Sequence, residues 1–371
     1  MVCPYFGKCG GCTSQDVLYE HQLDNKLNQL VRNIGYPKDK ITVFSDKPFN
    51  YRNRMDFIFN YKGLGLRQRG NWQSIIDVEE CPIADEKINI LLKEIRNYFK
   101  NPDFFDIHKH SGTFRYAVIR HAEQSSISFV LNADSMKIGD AIDKIKDFSK
   151  ITTADNIIVT YVHKHTDISI SEDFFTVKGS DQLSNTLLKN TFDYSVQGFF
   201  QNNTAMADKM HEYVNSLIRK HTSENAQEQL KGLTLLDLYA GVGTFGINNS
   251  LLFKNVIIVE SDKHCIDSAK ENIKKNKITN AEAILLDAMN LKKLNIPEGL
   301  FVITDPPRSG MHPRTIEELK KKKPKHMIYI SCNIEQLGRD LKKLNYKITN
   351  AAMFDLFPQT PHIEAIVELE S

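Results

Sequence analysis

Hydrophobic and polar residues alternate differently in the two halves of this chain. In the first half, apolar residues recur three and four positions apart over residues 16–34, and Gly35 follows as a stop signal, which predicts one amphipathic helix. Short strand-like stretches begin after residue 49, and a second helix is predicted at 85–100. The strands predicted in this half span 54–60, 73–77, 116–120, 127–132, 156–163 and 169–171. This pattern indicates a mixed α+β domain.

In the second half, continuous apolar runs alternate with helical stretches such as 262–276. The runs span residues 233–238, 255–260, 282–287, 300–304 and 326–331. Apolar strands separated by helices are typical of a parallel sheet covered on both faces. The sequence therefore predicts an α/β fold, with a doubly wound, Rossmann-like domain at 196–371 and the α+β domain at 1–195.

Polar residues follow the ends of the predicted parallel strands. The loop Gly241-Val242-Gly243-Thr244 follows the first strand, Glu260 ends the second and Asp287 ends the third. Open parallel sheets bind ligands beyond the carboxyl ends of their strands, and a carboxylate about 20 residues after a glycine loop binds ribose hydroxyls. Because two glycines match a dinucleotide fingerprint only in part, an ordinary strand-to-helix turn also explains this loop.

The turn Asp305-Pro306-Pro307 follows the fourth of these strands. Its prolines form a rigid turn with few hydrogen-bond donors, which directs Asp305 into the pocket. A nicotinamide cofactor would need contacts to its pyrophosphate, whereas S-adenosylmethionine carries no phosphate. The turn therefore favours S-adenosylmethionine as the ligand.

A cysteine and a glutamate follow near the C-terminus. Cys332, in Ser331-Cys332-Asn333, leaves the last apolar run, and His362-Ile363-Glu364 comes about thirty residues later. A cysteine at a strand end serves as a nucleophile, and a nearby carboxylate removes a proton. Taken alone, Cys332 is also explained as a small buried residue at a strand end, and Glu364 as a solvated strand residue.

Bulk composition restricts the class of protein without selecting one. The 371 residues suffice for two domains, and a net charge of +2 neither supports nor excludes nucleic acid. No run of about 18 apolar residues and no basic leader followed by an apolar stretch is present. We expect a soluble, cytoplasmic protein that does not enter membranes.

Four of the six cysteines, Cys3, Cys9, Cys12 and Cys81, lie in the first half. In a reducing cytosol such spacing indicates a metal site or catalysis rather than disulfides. Zinc and a four-iron cluster both accept four thiolates. Zinc sites typically combine two Cys-x-x-Cys pairs, whereas this chain has three neighbouring cysteines and one distant one. The spacing therefore favours an iron–sulfur cluster.

Basic and aromatic residues in the first half suggest contacts to RNA phosphates and bases. These candidates are Arg52, Arg54, Arg115 and Arg120, with Phe57, Phe114 and Tyr116 as stacking surfaces. Solvated surface charge is the alternative explanation, and it is the one we prefer for the lysine run at 320–325.

Taken as a set, the motifs of this chain resemble the RNA 5-methyluridine (uracil-C5) methyltransferase family in its iron–sulfur-containing branch. The matching pieces are Phe199-Phe200-Gln201-Asn202-Asn203, Asp237-Leu238-Tyr239-Ala240-Gly241, Asp305-Pro306-Pro307-Arg308, Ser331-Cys332-Asn333, His362-Ile363-Glu364 and Cys3-x5-Cys9-Gly10-Gly11-Cys12 with Cys81. The order and spacing of these motifs follow the family.

The resemblance implies roles for individual residues. Cys332 would be the nucleophile and Glu364 the general base. The implied S-adenosylmethionine contacts are Gln201, Tyr239, Thr244, Glu260, Asp287 and Asp305. The implied ligands of a 4Fe-4S cluster are Cys3, Cys9, Cys12 and Cys81. Arg308 or the Asn333 region would polarise the uracil, and the helix at 13–35 would pack on the catalytic domain.

The chain departs from the family pattern in two places. Ile334 stands where the family usually has a proline after Ser-Cys-Asn, and the first cluster cysteine is already the third residue, so an N-terminal TRAM domain is expected to be lacking. The expected substrate is a flipped uridine in tRNA or rRNA, bound by a monomer. Two alternatives stay open: methylation of an exocyclic amine, and a non-enzymatic RNA-binding or remodelling protein.

Overall fold

The structure, a computed structural model, describes residues 3–221, 232–297 and 299–371. The helices of this part are α1 (Tyr19–Ile34), α2 (Glu86–Tyr98), α3 (Ile138–Ser149), α4 (Thr204–Lys220), α5 (Thr244–Asn249), α6 (Lys263–Lys275), α7 (Pro313–Lys322) and α8 (Ile334–Leu344). Its strands are β1 (Ile41–Phe44), β2 (Arg54–Asn60), β3 (Gly63–Gln68), β4 (Asn71–Asp77), β5 (Phe114–His121), β6 (Ser125–Asn132), β7 (Asn156–Val162), β8 (Phe174–Lys178), β9 (Gln182–Leu187), β10 (Asn190–Ser195), β11 (Thr234–Leu238), β12 (Asn255–Glu260), β13 (Ala281–Leu285), β14 (Leu300–Thr304), β15 (His326–Ser331), β16 (Lys347–Phe354) and β17 (Glu364–Glu370). None of the described helices is both long and apolar enough to cross a membrane.

The first half forms a seven-stranded sheet in the order β4-β3-β2-β5-β6-β7-β8. Apolar residues of α2 and α3 pack with those of the central strands in one core cluster. The strand predicted at 169–171 is wrong, since the sheet takes β8 instead. The side chain of Gln197 explains the difference, because its amide bonds both the N–H and the C=O of Ser171 and replaces a sheet partner.

The second half forms an eight-stranded sheet in the order β1-β16-β17-β15-β14-β11-β12-β13. Strands β11 to β15 are parallel, which confirms the predicted Rossmann-like α/β sheet. One strand departs from that prediction, because β17 runs antiparallel between β15 and β16. The reversal brings the first residue of β17 to the edge where the parallel strands end.

Residues near the N-terminus pack on this second sheet. Strand β1 pairs with β16, and α1 lies against α8. At the crossing of the two helices, a Cβ on Gly338 would lie 2.4 Å from the carbonyl oxygen of Asn33. The glycine therefore permits the close approach of α1 to α8. Between the two large sheets, β9 and β10 form a hairpin that contacts α6.

Candidate active site

The candidate site lies where the strand order of the second sheet reverses. Strand β11 is flanked by β12 on one side and β14 on the other, so the chain runs outward through β13 and returns to β14. Ligands bind at such a point, beyond the carboxyl ends of the strands. Asp305, which follows β14, donates its backbone N–H to the carbonyl of Leu238 at the end of β11, at 3.2 Å.

The glycine loop after β11 takes a tight path. Tyr239, Gly241 and Gly243 all have positive φ, at 59°, 55° and 86°. A non-glycine residue in this region is uncommon and concentrates at functional sites. A Cβ on Gly246 would lie 3.0 Å from Asp237 Oδ2 and 2.8 Å from Ile258, so glycine is needed for α5 to approach the sheet.

Two carboxylates predicted to contact the donor lie on neighbouring strand ends. Glu260 ends β12, and its Oε2 accepts a hydrogen bond from Gly241 N at 3.0 Å, which fixes the carboxylate at the rim of the loop. Asp287 follows β13 and is exposed, with Oδ1 accepting from Met289 N at 2.9 Å. Thr244 is half-buried at the first position of α5, directly after the glycine loop.

Asp237, beneath the glycine loop, was not among the predicted contacts. Its Oδ2 accepts from Gly246 N at 2.7 Å, but Oδ1 is buried and has no hydrogen-bond partner. Burial raises the pKa of Asp237 to about 8, and the charges of Asp305 and Glu260 add to the rise. Because buried polar atoms are nearly always hydrogen-bonded, this orphan oxygen fits a donor group of a polar ligand.

Cys332 and Glu364 are cross-strand neighbours. Ser331 of β15 pairs with Ala365 of β17 in antiparallel register, so the next residue on one strand lies beside the preceding residue on the other. Glu364 is 4 % exposed and Cys332 is half-buried. The structure thus brings together the predicted nucleophile and the predicted base at one sheet edge.

The acidic groups at this edge favour their protonated forms. Burial raises the pKa of Cys332 to about 11, with contributions from Glu364 and Asp305, whereas Arg308 lowers it. Burial and the charge of Asp305 raise the pKa of Glu364 well above its usual value, and Arg308 again opposes the rise. Burial raises the pKa of Asp305 to about 7. A positively charged ligand here would stabilise the ionised groups.

The turn that presents Cys332 is held without a proline. Asn333 caps α8 by accepting from Gln336 N at 3.2 Å, and its Nδ2 donates to the carbonyl of Arg308 at 2.9 Å. Ser331 Oγ accepts from Asn333 N at 3.1 Å. Ile334, which replaces the usual proline, starts α8 with its side chain in the core. Capping and burial therefore supply the order that a proline would give.

Gln201 lies in a segment that contacts both halves of the chain. Its carbonyl accepts from Asn53 Nδ2 at 3.1 Å. Asn203 caps α4, and its Nδ2 donates to the carbonyl of Leu356 at 3.1 Å. Phe199, at the start of the same segment, is 65 % exposed. This segment therefore connects the first-half sheet with the loop that precedes Glu364.

The four N-terminal cysteines line one cavity of about 550 Å³. In the described part of the chain, no three of their sulfurs lie within 4.8 Å of one another. Tetrahedral zinc with bonds of about 2.3 Å would bring its sulfurs to about 3.8 Å, so the arrangement does not fit one zinc ion. A four-iron cluster holds each thiolate on a different iron, so it does not require three sulfurs within 4.8 Å of one another.

Several predicted RNA contacts are wrong because the side chains are buried. Arg115 and Arg120 are 3 % and 4 % exposed, and they donate to the carbonyls of His163 and Gly198. The aromatic residues proposed as stacking surfaces are also buried, namely Phe57, Phe114 and Tyr116. Arg52 and Arg54, in contrast, line the cysteine cavity together with Phe199.

One exposed aromatic residue, which contacts an arginine of this cavity, was not among the predicted RNA contacts. Trp72, on edge strand β4, is 54 % exposed, and the guanidinium of Arg67 lies 5.2 Å from its ring centroid. Arg67 also lines the cavity, and the exposed Arg69 donates its N–H to the carbonyl of Lys8. The polar residues around Trp72 in the sequence could have indicated that its side chain is exposed, since a lone tryptophan in a polar hairpin is seldom a core residue.

Comparisons with known proteins agree over nearly the whole chain. The family model for tRNA (Uracil-5-)-methyltransferase matches residues 18–371. The chain is 32 % identical over 374 residues to the tRNA (uracil(54)-C(5))-methyltransferase of Pyrococcus abyssi, covering 99 % of this chain and 85 % of that protein. It is also 32 % identical over 387 residues to an uncharacterized RNA methyltransferase of Caldanaerobacter subterraneus, covering 99 % and 84 %.

One solved structure has a similar fold over the same extent. It is the crystal structure of the Pyrococcus abyssi tRNA (uracil-54, C5)-methyltransferase in complex with S-adenosyl-L-homocysteine. The TM-score is 0.81 at 29 % sequence identity, and the match covers 97 % of this chain and 85 % of that one.

Proposed function

The chain belongs to the tRNA (uracil-5-)-methyltransferase family, and on this premise we propose that it methylates carbon 5 of a uridine through a transient bond to Cys332. The observation that carries the proposal is the position of Cys332 beside Glu364, at the edge where the strand order reverses. Covalent attack at carbon 6 and proton removal at carbon 5 require that both side chains reach the same uracil ring.

S-adenosylmethionine is the proposed methyl donor, since the related crystal structure holds S-adenosyl-L-homocysteine. The residues at the sheet edge fit it, because the glycine loop allows a close approach and the orphan oxygen of Asp237 accepts a donor group. The proposed contacts are Gln201, Tyr239, Thr244, Glu260, Asp287 and Asp305. When bound, the donor supplies an electrophilic methyl group on a positively charged sulfur.

The proposed reaction begins at carbon 6 of the uracil. The thiolate of Cys332 attacks this carbon, a C–S bond forms, and the electron pair of the 5,6 double bond moves into an enolate. Carbon 5 then bonds to the methyl group as the methyl–sulfonium bond breaks. Glu364 takes the proton from carbon 5, the 5,6 double bond forms again, and the thiolate leaves.

The charges at the sheet edge suit this sequence of steps. With raised pKa values, Cys332 and Glu364 are held largely protonated before the donor binds. A sulfonium beside Asp305 would favour ionisation of these groups, so the nucleophile and the base would form when the methyl group is present. The charge of Arg308 acts in the same direction, because it lowers the pKa of both groups.

Structured RNA is the proposed substrate, and the uridine must leave its stack to reach the strand ends. The family description and the Pyrococcus relative favour tRNA over rRNA. Mapping 5-methyluridine in total RNA, with and without the gene, tests this choice. Loss of one site in tRNA supports it, and loss of a site in rRNA only would contradict it.

Variants at the two central residues test the chemistry. Cys332→Ala should lower methyl transfer by at least about 10³-fold. Glu364→Gln should let the methylated adduct form but not resolve, so a protein–RNA complex stable to denaturation accumulates. Cys265→Ala is the matched control, because Cys265 is half-buried on α6, and it should retain full activity. Undiminished methylation by Cys332→Ala would instead indicate attack by an exocyclic amine.

We also propose that Cys3, Cys9, Cys12 and Cys81 hold a 4Fe-4S cluster. Their shared cavity supports this ligand set. Anaerobic preparation should yield about four iron and four sulfide per chain, and Cys81→Ser should lower both. One zinc per chain without sulfide would overturn the assignment.

A further inference from the structure

The loop that precedes Glu364 is held by side chains from the other end of the chain. We call residues 355–363, which connect β16 to β17, the base loop. Its side chains and backbone are bonded by residues 13–51 and by Asn203. Since Glu364 is the next residue, the path of the base loop determines the position of the Glu364 backbone, and with it the position of the carboxylate.

A buried ion pair anchors the start of the base loop. Lys26 Nζ lies 2.6 Å from Asp355 Oδ1, and the two side chains are 4 % and 0 % exposed. Tyr19 donates its hydroxyl to Asp355 Oδ2 at 2.8 Å, so both carboxylate oxygens are bonded. Lys26 also donates to the carbonyl of Phe357 at 3.1 Å. A carboxylate bonded by two residues of α1 has little freedom to move.

A paired amide holds the middle of the base loop. Gln22 Nε2 donates to Gln359 Oε1 at 3.0 Å, and Gln22 Oε1 accepts from Gln359 N at 3.1 Å. Gln359 has a φ of 68°, which a non-glycine residue keeps only where its surroundings enforce it. Thr13 and Ser14 donate their N–H groups to the carbonyl of Gln359, at 2.9 and 3.2 Å.

We propose that Tyr19, Gln22 and Lys26 are positioning residues for Glu364, and that α1 orients the base that ends the reaction. The inference rests on the proposed roles of Cys332 and Glu364. A misplacement of about 1 Å at a reacting group costs up to about 100-fold in rate. Because Thr13 follows the proposed cluster ligand Cys12, the same contacts connect the cluster with the base loop.

When α1 no longer holds the base loop, the removal of the proton from carbon 5 should be the step that slows. Attack by Cys332 and methyl transfer precede proton removal, so loss of positioning should leave those two steps nearly unchanged. The methylated carbon 5 then keeps its proton, and the C–S bond to Cys332 persists. A variant of α1 should therefore accumulate a covalent protein–RNA complex with ordinary uridine.

Gln22→Met and Tyr19→Phe are the test variants, and Gln29→Met, an exposed position on the same helix, is the control. We expect kcat for methylated RNA release to fall about 10- to 100-fold in Gln22→Met and less in Tyr19→Phe. Because kcat/KM reflects the steps up to methyl transfer, it should stay within about twofold, so the KM for RNA should fall together with kcat. The denaturation-stable complex should rise severalfold. Gln29→Met should behave as the wild type.

Because Lys26→Met risks unfolding, Lys26→Arg serves as the conservative variant, and it should retain most of the activity. Equal losses in adduct formation and in product release would overturn the inference, as would unchanged kcat in Gln22→Met. Failure of the proposed function is a separate result, since Glu364→Gln would then accumulate no adduct either. If Glu364→Gln accumulates the adduct and Gln22→Met does not, only the inference about α1 fails.

Discussion

At the scale of single residues, the sheet edge contains carboxyl groups that water would normally solvate. Asp237 is 1 % exposed with one unpaired oxygen, and Glu364 is 4 % exposed. Both have raised pKa values, so folding favours their protonated forms. Such groups decrease stability at neutral pH, and groups of this kind are concentrated at functional sites.

The variant Asp237→Asn tests how strongly this buried carboxyl group decreases the stability of the protein at different pH values. The folded pKa of Asp237 is about 8, above its usual value, so the wild type is most stable below the unfolded pKa and loses stability as pH rises toward 8. Asparagine does not titrate. The free energy of unfolding of Asp237→Asn should therefore exceed that of the wild type by a gap that grows by about 1–3 kcal/mol from pH 5.5 to pH 8.

Urea denaturation at the two pH values measures that gap. Asp267→Asn, an exposed change on α6, is the control and should show the same gap at both. A constant difference between Asp237→Asn and the wild type would show that Asp237 does not titrate in this range.

Among the elements, the strands that the sequence predicted best are those with a continuous apolar centre. The bounds predicted for β12, β14 and β15 agree with the structure, because both faces of these strands are covered. Strand β17 was not assigned, since Glu364 and Glu368 interrupt its apolar pattern. Glu368 is buried with His221 as a partner at 2.8 Å, 147 residues away. The residues next to Glu368 in the sequence give no indication of such a distant partner.

Some parts of the candidate site could be predicted from the sequence and others could not. Glu260, Asp305 and Cys332 follow apolar strands, so their common edge could be derived from chain order. The contact of Lys26 with Asp355 joins residues 329 positions apart, and no periodicity signals it. Cavity-lining and buried arginines were likewise indistinguishable in the sequence.

The packing of α1 on α8 leads to a prediction at Gly338. A Cβ there would lie 2.4 Å from a backbone oxygen, so Gly338→Ala should destabilise the protein by about 1–3 kcal/mol. Gly139→Ala on α3 is the matched control, since outside its chain neighbours and its own helix backbone nothing lies within 4 Å of the new Cβ, and it should be neutral or slightly stabilising. Thermal unfolding of both variants checks this. Equal melting temperatures for the two would contradict the close packing of α1.

At the scale of the whole molecule, a single face connects the hairpin of β3 and β4 to the candidate site. The cysteine cavity is lined by Arg67, Arg54, Phe199 and Asn202, so it extends from the hairpin to the segment that contains Gln201. Basic side chains with exposed aromatic rings are suited to single-stranded or looped RNA. We expect RNA to approach along this face.

Trp72 reports on that approach directly, because it is the only tryptophan in the chain. RNA binding should change its fluorescence, and Trp72→Ala should raise the KM for RNA about 5- to 100-fold with kcat nearly unchanged. Trp72→Phe keeps an aromatic ring and should retain most of the affinity. Unchanged fluorescence at saturating RNA would place the RNA elsewhere.

The proposed reaction depends on a bond between the sulfur of Cys332 and the pyrimidine, and RNA that contains 5-fluorouridine can trap this bond. Fluorine at carbon 5 cannot be removed as a proton is, so the methylated adduct should persist. We predict a donor-dependent complex, stable to denaturation, whose peptide map places the nucleotide on Cys332. An accepted RNA that yields no adduct, or an adduct on another residue, would show that Cys332 is not the nucleophile.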